Sequence, residues 1–379
     1  MTKTSIRWFI LFFMVAGGLF FLLNRDFLPG LSPQSKSDES LRMLEAVMRL
    51  IQEDYVDEPD PGRTMTGAFR GLVDSLDVLS SYLDKSTVGR YRDSNPFELM
   101  ETGLILYKRY PSFPVIIGIK EDSPAARSEL RLGDPVYALD GLSTLELSML
   151  EVNLYLKHDE ARPVKIKTTQ NGRSKTIEVG RSRLHEEPYS FSPAIDTSGV
   201  LRVSHFYPPL VQRINTNLVP LLKTAKAPLI LDLRNCIEGN LEEAVRFINL
   251  FLPSEEIGQL RKKGGHTTPV VCQNPGELES LELCIWINQA TIGPAEAVAS
   301  VLKVQRQAKV IGHQTLGLAA QQRFFPLADG SGLVLTSAVF HPTGSELWQK
   351  GITPDFTLDP ENQDRNAFMR KTRELLPPL

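Results

Sequence analysis

Cysteine is scarce in this 379-residue chain: Cys236, Cys272 and Cys284, with no Cys-x-x-Cys pair among them. The six histidines show neither His-Glu-x-x-His spacing nor a His pair three to five residues apart. These absences exclude a disulfide miniprotein and leave a metal or other cofactor without sequence support. For Cys272 and Cys284 a bridge is one reading, and free buried thiols the preferred one. A basic excess is also missing, since 42 Lys plus Arg face 45 Asp plus Glu for a net charge of −3. That balance excludes a dedicated nucleic-acid binder, which needs surplus cations against phosphate. Internal repeats and low-complexity tracts are absent too. What is present, 42% hydrophobic and 23% charged residues, suits a globular protein of two or three domains.

From Trp8 to Leu23 all sixteen residues are apolar or glycine, a run of ~24 Å as a helix against a hydrocarbon core of ~30 Å. Arg7 and Arg25 flank it, and Lys3 with Arg7 favours retention of the short N-terminal tail in the cytoplasm. An uncleaved anchor through residues 8–23 is expected, with a cleaved signal peptide as the rival reading. No Ala-x-Ala-like site or lipid-accepting Cys follows the run. The expected location is the bacterial inner (cytoplasmic) membrane, single-pass, with the main domains on the periplasmic or extracytoplasmic side.

Pro, Ser and Gly then dominate a linker over 26–40. A helical region over 41–96 follows, in which Leu41, Leu44, Val47, Met48 and Ile51, and again Phe69, Leu72, Val73 and Leu76, recur at three- and four-residue spacing. Short strands at Leu104–Leu106, Val115–Ile119, Val136–Leu139 and Val164–Lys167, with one helix at Ser148–Lys157, mark a small domain over 97–180. Beyond it, alternating elements over 181–357 predict a mostly parallel, covered sheet: strands at 201–203, 228–233, 283–287 and 309–311, helices at 210–222, 241–252 and 295–304. Residues 358–379 read as a C-terminal tail.

The small domain resembles a PDZ domain of the bacterial exported-protease kind. Its marks are Gly103-Leu104-Ile105-Leu106, the Ser123-Pro124-Ala125-Ala126 turn, and Leu130-Arg131-Leu132-Gly133-Asp134-Pro135-Val136 running into Leu139-Asp140-Gly141. The resemblance implies a peptide added as a strand beside Leu104–Leu106, its terminal carboxylate held by backbone N–H groups. With Met149, Val152 and Tyr155 on the following helix, an apolar C-terminal residue is the expected ligand. A wider resemblance, from about Ser40 to Phe356, is to the carboxy-terminal processing, or tail-specific, serine peptidase family. It rests on Glu53-Asp54-Tyr55-Val56, Ser80-Ser81-Tyr82-Leu83, the Leu229–Asn235 strand, Pro326–Leu333 and Gly351-Ile352-Thr353-Pro354-Asp355. The implied fold class is α/β plus β: a membrane helix, a helical segment, a PDZ-like domain and an α/β core.

The resemblance implies a Ser nucleophile, a Lys base twenty-five residues later and an orienting Gln four further on. Burial can lower such a lysine's pKa until it accepts the hydroxyl proton. Here Gly293 stands at the serine position, Leu318 at the lysine position with the interval intact, and Gln322 at the retained glutamine. The family's Asn-Pro-Gly-Gly oxyanion turn is replaced by Cys236-Ile237-Glu238-Gly239, where an inward Glu238 would oppose a developing oxyanion. Other candidate groups are Ser300 with Lys303 at Ser-x-x-Lys spacing, Cys236, Thr291, His205 and His313; each reads more simply as structural. The expectation is a pseudopeptidase acting as scaffold, decoy or regulatory partner. It would bind polypeptide C-termini or an exported protein, such as an active peptidase, through its PDZ-like groove and vacant cleft. Alternatives are an active serine-type or cysteine-based endopeptidase using Cys236 or Ser300, and a structural subunit whose groove is filled by its own chain. Resemblance further implies a homodimer.

Overall fold

The computed structural model describes residues 36–93, 99–184, 187–194, 197–225, 227–273, 276–359 and 364–375. The expected anchor at 8–23 lies outside them, as does most of the expected linker; among the described residues no helix is long and apolar enough to cross a membrane. The chain divides into two compact units, Met1–Thr66 and Gly67–Leu379. In the first, helix α1 (Lys36–Asp54) begins inside the stretch read as linker. The reason is that Lys36 to Ser40 contain neither Pro nor Gly to stop it. Helix α2 (Pro61–Asp74) starts where Asp60 Oδ1 accepts from Gly62 N–H at 2.9 Å, with Pro61 tolerated because its missing N–H is one a first turn cannot use.

In the second unit the region expected to be helical also holds strand β1 (Ser81–Leu83) and helix α3 (Lys85–Asp93), whose entry is capped by Asp84 Oδ1 on Thr87 N–H. The PDZ-like region then contributes β2 (Met100–Glu101), β3 (Leu104–Tyr107), β4 (Val115–Ile119), β5 (Val136–Leu139) and β6 (Leu142–Ser143). Helix α4 (Met149–Leu156), opened by a Ser148/Glu151 capping box, follows, then β7 (Lys157–His158), β8 (Val164–Gln170) and β9 (Arg173–Val179). Leu104, Leu106, Val136, Leu139, Val152, Val164 and Ile166 close its core.

The α/β core comprises β10 (Tyr189–Ala194), β11 (Thr197–Val203), β12 (His205–Phe206), α5 (Leu210–Asn217), α6 (Val219–Leu222), β13 (Leu229–Asp232), β14 (Glu238–Gly239), α7 (Leu241–Ile248), β15 (Glu256–Lys262) and β16 (Thr267–Val271). It continues with β17 (Leu283–Ile287), α8 (Pro294–Gln305), β18 (Lys309–Gly312), β19 (Ala320–Pro326), β20 (Gly332–Pro342), β21 (Phe356–Thr357) and α9 (Arg365–Leu375). The helix expected over 210–222 is interrupted at Leu218, two residues before Pro220, which lacks the N–H that a continuous helix needs.

One sheet runs β10-β11-β13-β17-β18-β21, parallel except for the β10–β11 pair. Leu229, Leu231, Ile285 and Ile287 face a large core on one side, and Ile230, Cys284 and Trp286 a smaller one with Phe368 on the other. Burial on both faces explains why these strands are continuous apolar runs. A second sheet, β1-β20-β15-β16 with β19 also on β20, is wholly antiparallel. The expected mostly parallel sheet therefore describes only the first; among the described residues antiparallel pairings predominate. The stretch read as a C-terminal tail also changes character: α9 buries Phe368 against Trp286 and hydrogen-bonds Thr372 Oγ1 to the indole N–H at 2.9 Å.

Candidate active site

Strand β17 ends in the Asn288–Ile292 loop and turns into α8 at Gly293, whose φ of 64° and ψ of −115° L side chains rarely adopt. A Cβ built there would find nothing nearer than Leu318 O at 3.9 Å, so the spot is spatially open but torsionally strained. One carboxylate joins the two degenerate positions. Glu296, fully buried in the first turn of α8, accepts N–H bonds from Gly293 (3.0 Å) and Leu318 (2.6 Å) on Oε2 and from Gly317 (2.5 Å) on Oε1. Burial pushes its pKa up, while Thr315 and these three amides pull it back. Positions 293 and 318 thus come together, as their spacing implied, with no nucleophile and no base between them. Leu318 is 7% exposed; Gln322 lies exposed on β19 next to a register shift.

The turn after β13 is stitched to the Gly293 loop. Asn235 N–H donates to Asn288 Oδ1 (3.1 Å), Asn288 Nδ2 to Asn235 Oδ1 (2.8 Å), and Ile292 N–H to Cys236 O (3.0 Å). Arg234 beside it is held by Asp232 and stacks over Trp286 and Phe368. Glu238 is engaged by Lys157 Nζ at 2.6 Å, in a cluster with Glu101 and Lys120. Burial alone would raise the Glu238 pKa, but the two ammoniums outweigh it and hold the carboxyl below its ordinary value. Gly239 is required, since a Cβ there would meet the Phe206 backbone at 2.7 Å.

The PDZ-like strands lie on these loops. Gly118 of β4 approaches so closely that a Cβ would meet Asn235 Oδ1 at 2.6 Å and Ala290 Cβ at 2.7 Å, and Asn235 Nδ2 donates to Ile119 O. Ile105 and Ile117 pack with Ala290, Ile237, Ile292 and Leu316. Of the expected peptide-binding residues, Leu104, Ile105, Leu106, Met149 and Val152 are all buried, and Tyr155 is half-buried beneath the Arg90 guanidinium. Gly103 has φ +83°, and a Cβ there would overlap Ser123, so the Ser123-Pro124 turn packs directly on the strand's entry.

The other nucleophile candidates are tied elsewhere. Cys236 is 1% exposed in the main core; Ser300 pairs with Ser345, and Lys303 with Thr353 O and Asp355. Thr291 Oγ1 donates to Leu233 O. His205 lies on β12, its ring 5.6 Å from that of Tyr207, and His313 is buried, which lowers its basicity. Cys272 and Cys284 are separate buried thiols that burial pushes up to about 11 and about 12.

Beside this centre lies a cavity of about 490 Å³ lined by Asp74, Tyr107, Lys108, Met149, Leu318 and Trp348 among others. The buried Lys108 ammonium donates to the carbonyls of Thr144, Leu145 and Leu147, and desolvation lowers its pKa. Burial, reinforced by Glu151, pushes Asp74 from 3.8 up to about 6. The folded protein therefore takes up a proton that the unfolded chain releases, and stability declines as pH rises from 3.8 through about 6 and stays lower above. Asp74→Asn should consequently stabilise the protein near neutral pH by about 1 kcal/mol, a figure reduced from the full shift because the half-buried group is screened. Urea unfolding checks it: the gain should be present at about pH 7 and absent at about pH 4, and an equal effect at both would refute this account. Neither Asp74 nor Glu296 stood out in the sequence; for Glu296 the one signal was an acid at the third residue of a helix opened by Gly293-Pro294.

A family model for peptidase family S41 matches residues 197–358, and one for the PDZ domain matches residues 100–180. A probable CtpA-like serine protease of Staphylococcus haemolyticus (strain JCSC1435) is 24% identical over 321 residues, covering 84% of this chain and 64% of that protein. Its counterpart in Staphylococcus aureus (strain COL) is 26% identical over 344 residues, 89% of this chain and 69% of that protein. The chain thus spans about two thirds of the length of these relatives. Among solved structures, the photosystem II D1 C-terminal processing protease shares the fold, with a TM-score of 0.70 and 20% identity over 87% of this chain and 90% of that one. With both domain matches in the order and at the positions that the structure gives them, the chain carries a PDZ domain and a peptidase family S41 domain and is similar to the carboxy-terminal processing serine peptidases.

Proposed function

We propose that this protein is a membrane-anchored, exported pseudopeptidase that binds polypeptide C-termini or a protein partner without cleaving them, as scaffold, decoy or regulator of an active peptidase. One observation carries the reading. Gly293 and Leu318 share a single carboxylate oxygen of Glu296, so the positions that need a nucleophile and a base are adjacent, in register and chemically empty. The N-terminal apolar run at 8–23 supports anchoring, and the basic Lys3 and Arg7 support an extracytoplasmic location for the domains. Similarity to probable CtpA-like serine proteases supports a polypeptide as the class of ligand.

The test is hydrolysis of casein and of a peptide with a free C-terminus by the purified protein, read beside binding of that peptide. Binding without cleavage is the expected result. Cleavage that disappears in Cys236→Ala or Ser300→Ala would instead establish an active endopeptidase with an unorthodox nucleophile.

A further inference from the structure

The cavity beside Leu318 joins the end of β3 and the first turn of α4 to the segment carrying the degenerate base position. Its size suits one or two side chains of an extended segment rather than a folded partner. Leu316, Leu318 and Met149 supply apolar lining, with Tyr107, Tyr110 and Trp348 around them. Its charges differ in what they already hold. Asp77 accepts from the N–H groups of Leu79 and Ser80 and from the hydroxyls of Ser80 and Thr336. Lys108 is engaged by three carbonyls, and Arg109 is exposed. The half-buried Asp74 carboxylate lines the cavity, and its burial raises its pKa more than the nearby Lys108 and Arg70 charges lower it.

We propose that this cavity receives an extended polypeptide segment that sets a lysine or arginine side chain against Asp74 and an apolar side chain against Leu316, Leu318 and Met149. This rests on the reading that the chain binds polypeptide without cleaving it, and it names the part of the ligand that the vacated chemistry selects. A partly desolvated carboxylate that Lys108 and Arg70 only partly offset gains when a cation is set directly against it in a charge-assisted hydrogen bond. Leu318 is what makes this consistent. A lysine there would line the same cavity and withdraw the apolar surface that the neighbouring side chain needs. The substitution that removes the base thereby also creates the pocket.

The probes are short synthetic peptides, acetylated and amidated, identical except for a central Leu-Lys, Leu-Gln or Leu-Glu pair. Their blocked ends separate this site from any that reads a free C-terminus. With the full chain, Leu-Lys should bind about tenfold tighter than Leu-Glu. Asp74→Asn should abolish that preference while leaving Leu-Gln binding unchanged, and Leu318→Lys should weaken all three probes. The preference should fade as pH falls through about 6, where Asp74 protonates; the charged groups facing Asp74 are Glu151, Lys108 and Arg70, with Asp77 and Arg109 also on the wall. Equal affinity for Leu-Lys and Leu-Glu, or a preference that survives Asp74→Asn, would overturn the proposal. If no blocked peptide binds while one with a free C-terminus does, this inference fails and the proposed function stands; if neither binds, both fail.

Discussion

A chain carrying both Gly293→Ser and Leu318→Lys should acquire slow peptide hydrolysis that the unaltered protein and either single variant lack. Serine fits at 293 because the nearest atom to a new Cβ is 3.9 Å away, and the backbone there already has the strained strand-to-helix geometry that presents a nucleophile. Lysine at 318 would enter a site where leucine is buried, so desolvation should lower its pKa toward a usable base. Nucleophile and base act as a unit, which is why each single replacement should stay at background. The gain will be limited by the oxyanion turn, where Cys236-Ile237-Glu238-Gly239 stands in place of the family's Asn-Pro-Gly-Gly; one missing donor is worth about 10²–10³ in rate. The seating of β4 on Asn235 and Ala290 restricts substrate access as well. The non-glycine residue at φ +64° should cost about 1–3 kcal/mol of stability. Casein hydrolysis, serine labelling by a fluorophosphonate and urea unfolding together check the expectation. A double variant that unfolds at the same urea concentration as the parent yet takes up no label would show that the geometry at 293 no longer presents a nucleophile.

The parts legible in the sequence were those whose cause is local or repeated. Strands β13, β17 and β18 are buried on both faces, so their residues form apolar runs that no helix of that length would need, and their limits read to within about a residue. The interval from Gly293 to Leu318 survives because Glu296 binds both ends, which keeps the register even though the side chains have changed. The antiparallel sheet was hidden for the opposite reason. Strand β19 is Ala-Gln-Gln-Arg-Phe-Phe-Pro with much of it exposed, and β1 is three residues long with its partner Gly332–Val334 about 250 positions away. Helix α9 is polar apart from a few buried positions such as Phe368, so it read as a tail. The seating of the PDZ domain on these loops was invisible as well. Gly118 in Val-Ile-Ile-Gly-Ile looks like an ordinary strand glycine until Asn235 and Ala290 are found against it.

Glu296→Ala should be the most destabilising single change in the core, at about 3–5 kcal/mol. The carboxylate is wholly buried and satisfies three backbone N–H groups, those of Gly293, Gly317 and Leu318. Leaving a buried donor unsatisfied costs about 1–3 kcal/mol each, less whatever water can recover in the space vacated. Glu296→Gln tests the same point more finely. Its carbonyl oxygen can keep some of the bonds, but its NH₂ must then face at least one donor, so it should recover part of the loss and no more. In urea unfolding the order of stability should be parent, Gln, Ala, with a gap of at least about 2 kcal/mol between the first and last. A loss under about 1 kcal/mol for Glu296→Ala would mean that the three amides find other partners. The shared carboxylate would then be a consequence of the turn's shape, and the register between 293 and 318 would have to be held by the sheet through β17 and β18 alone.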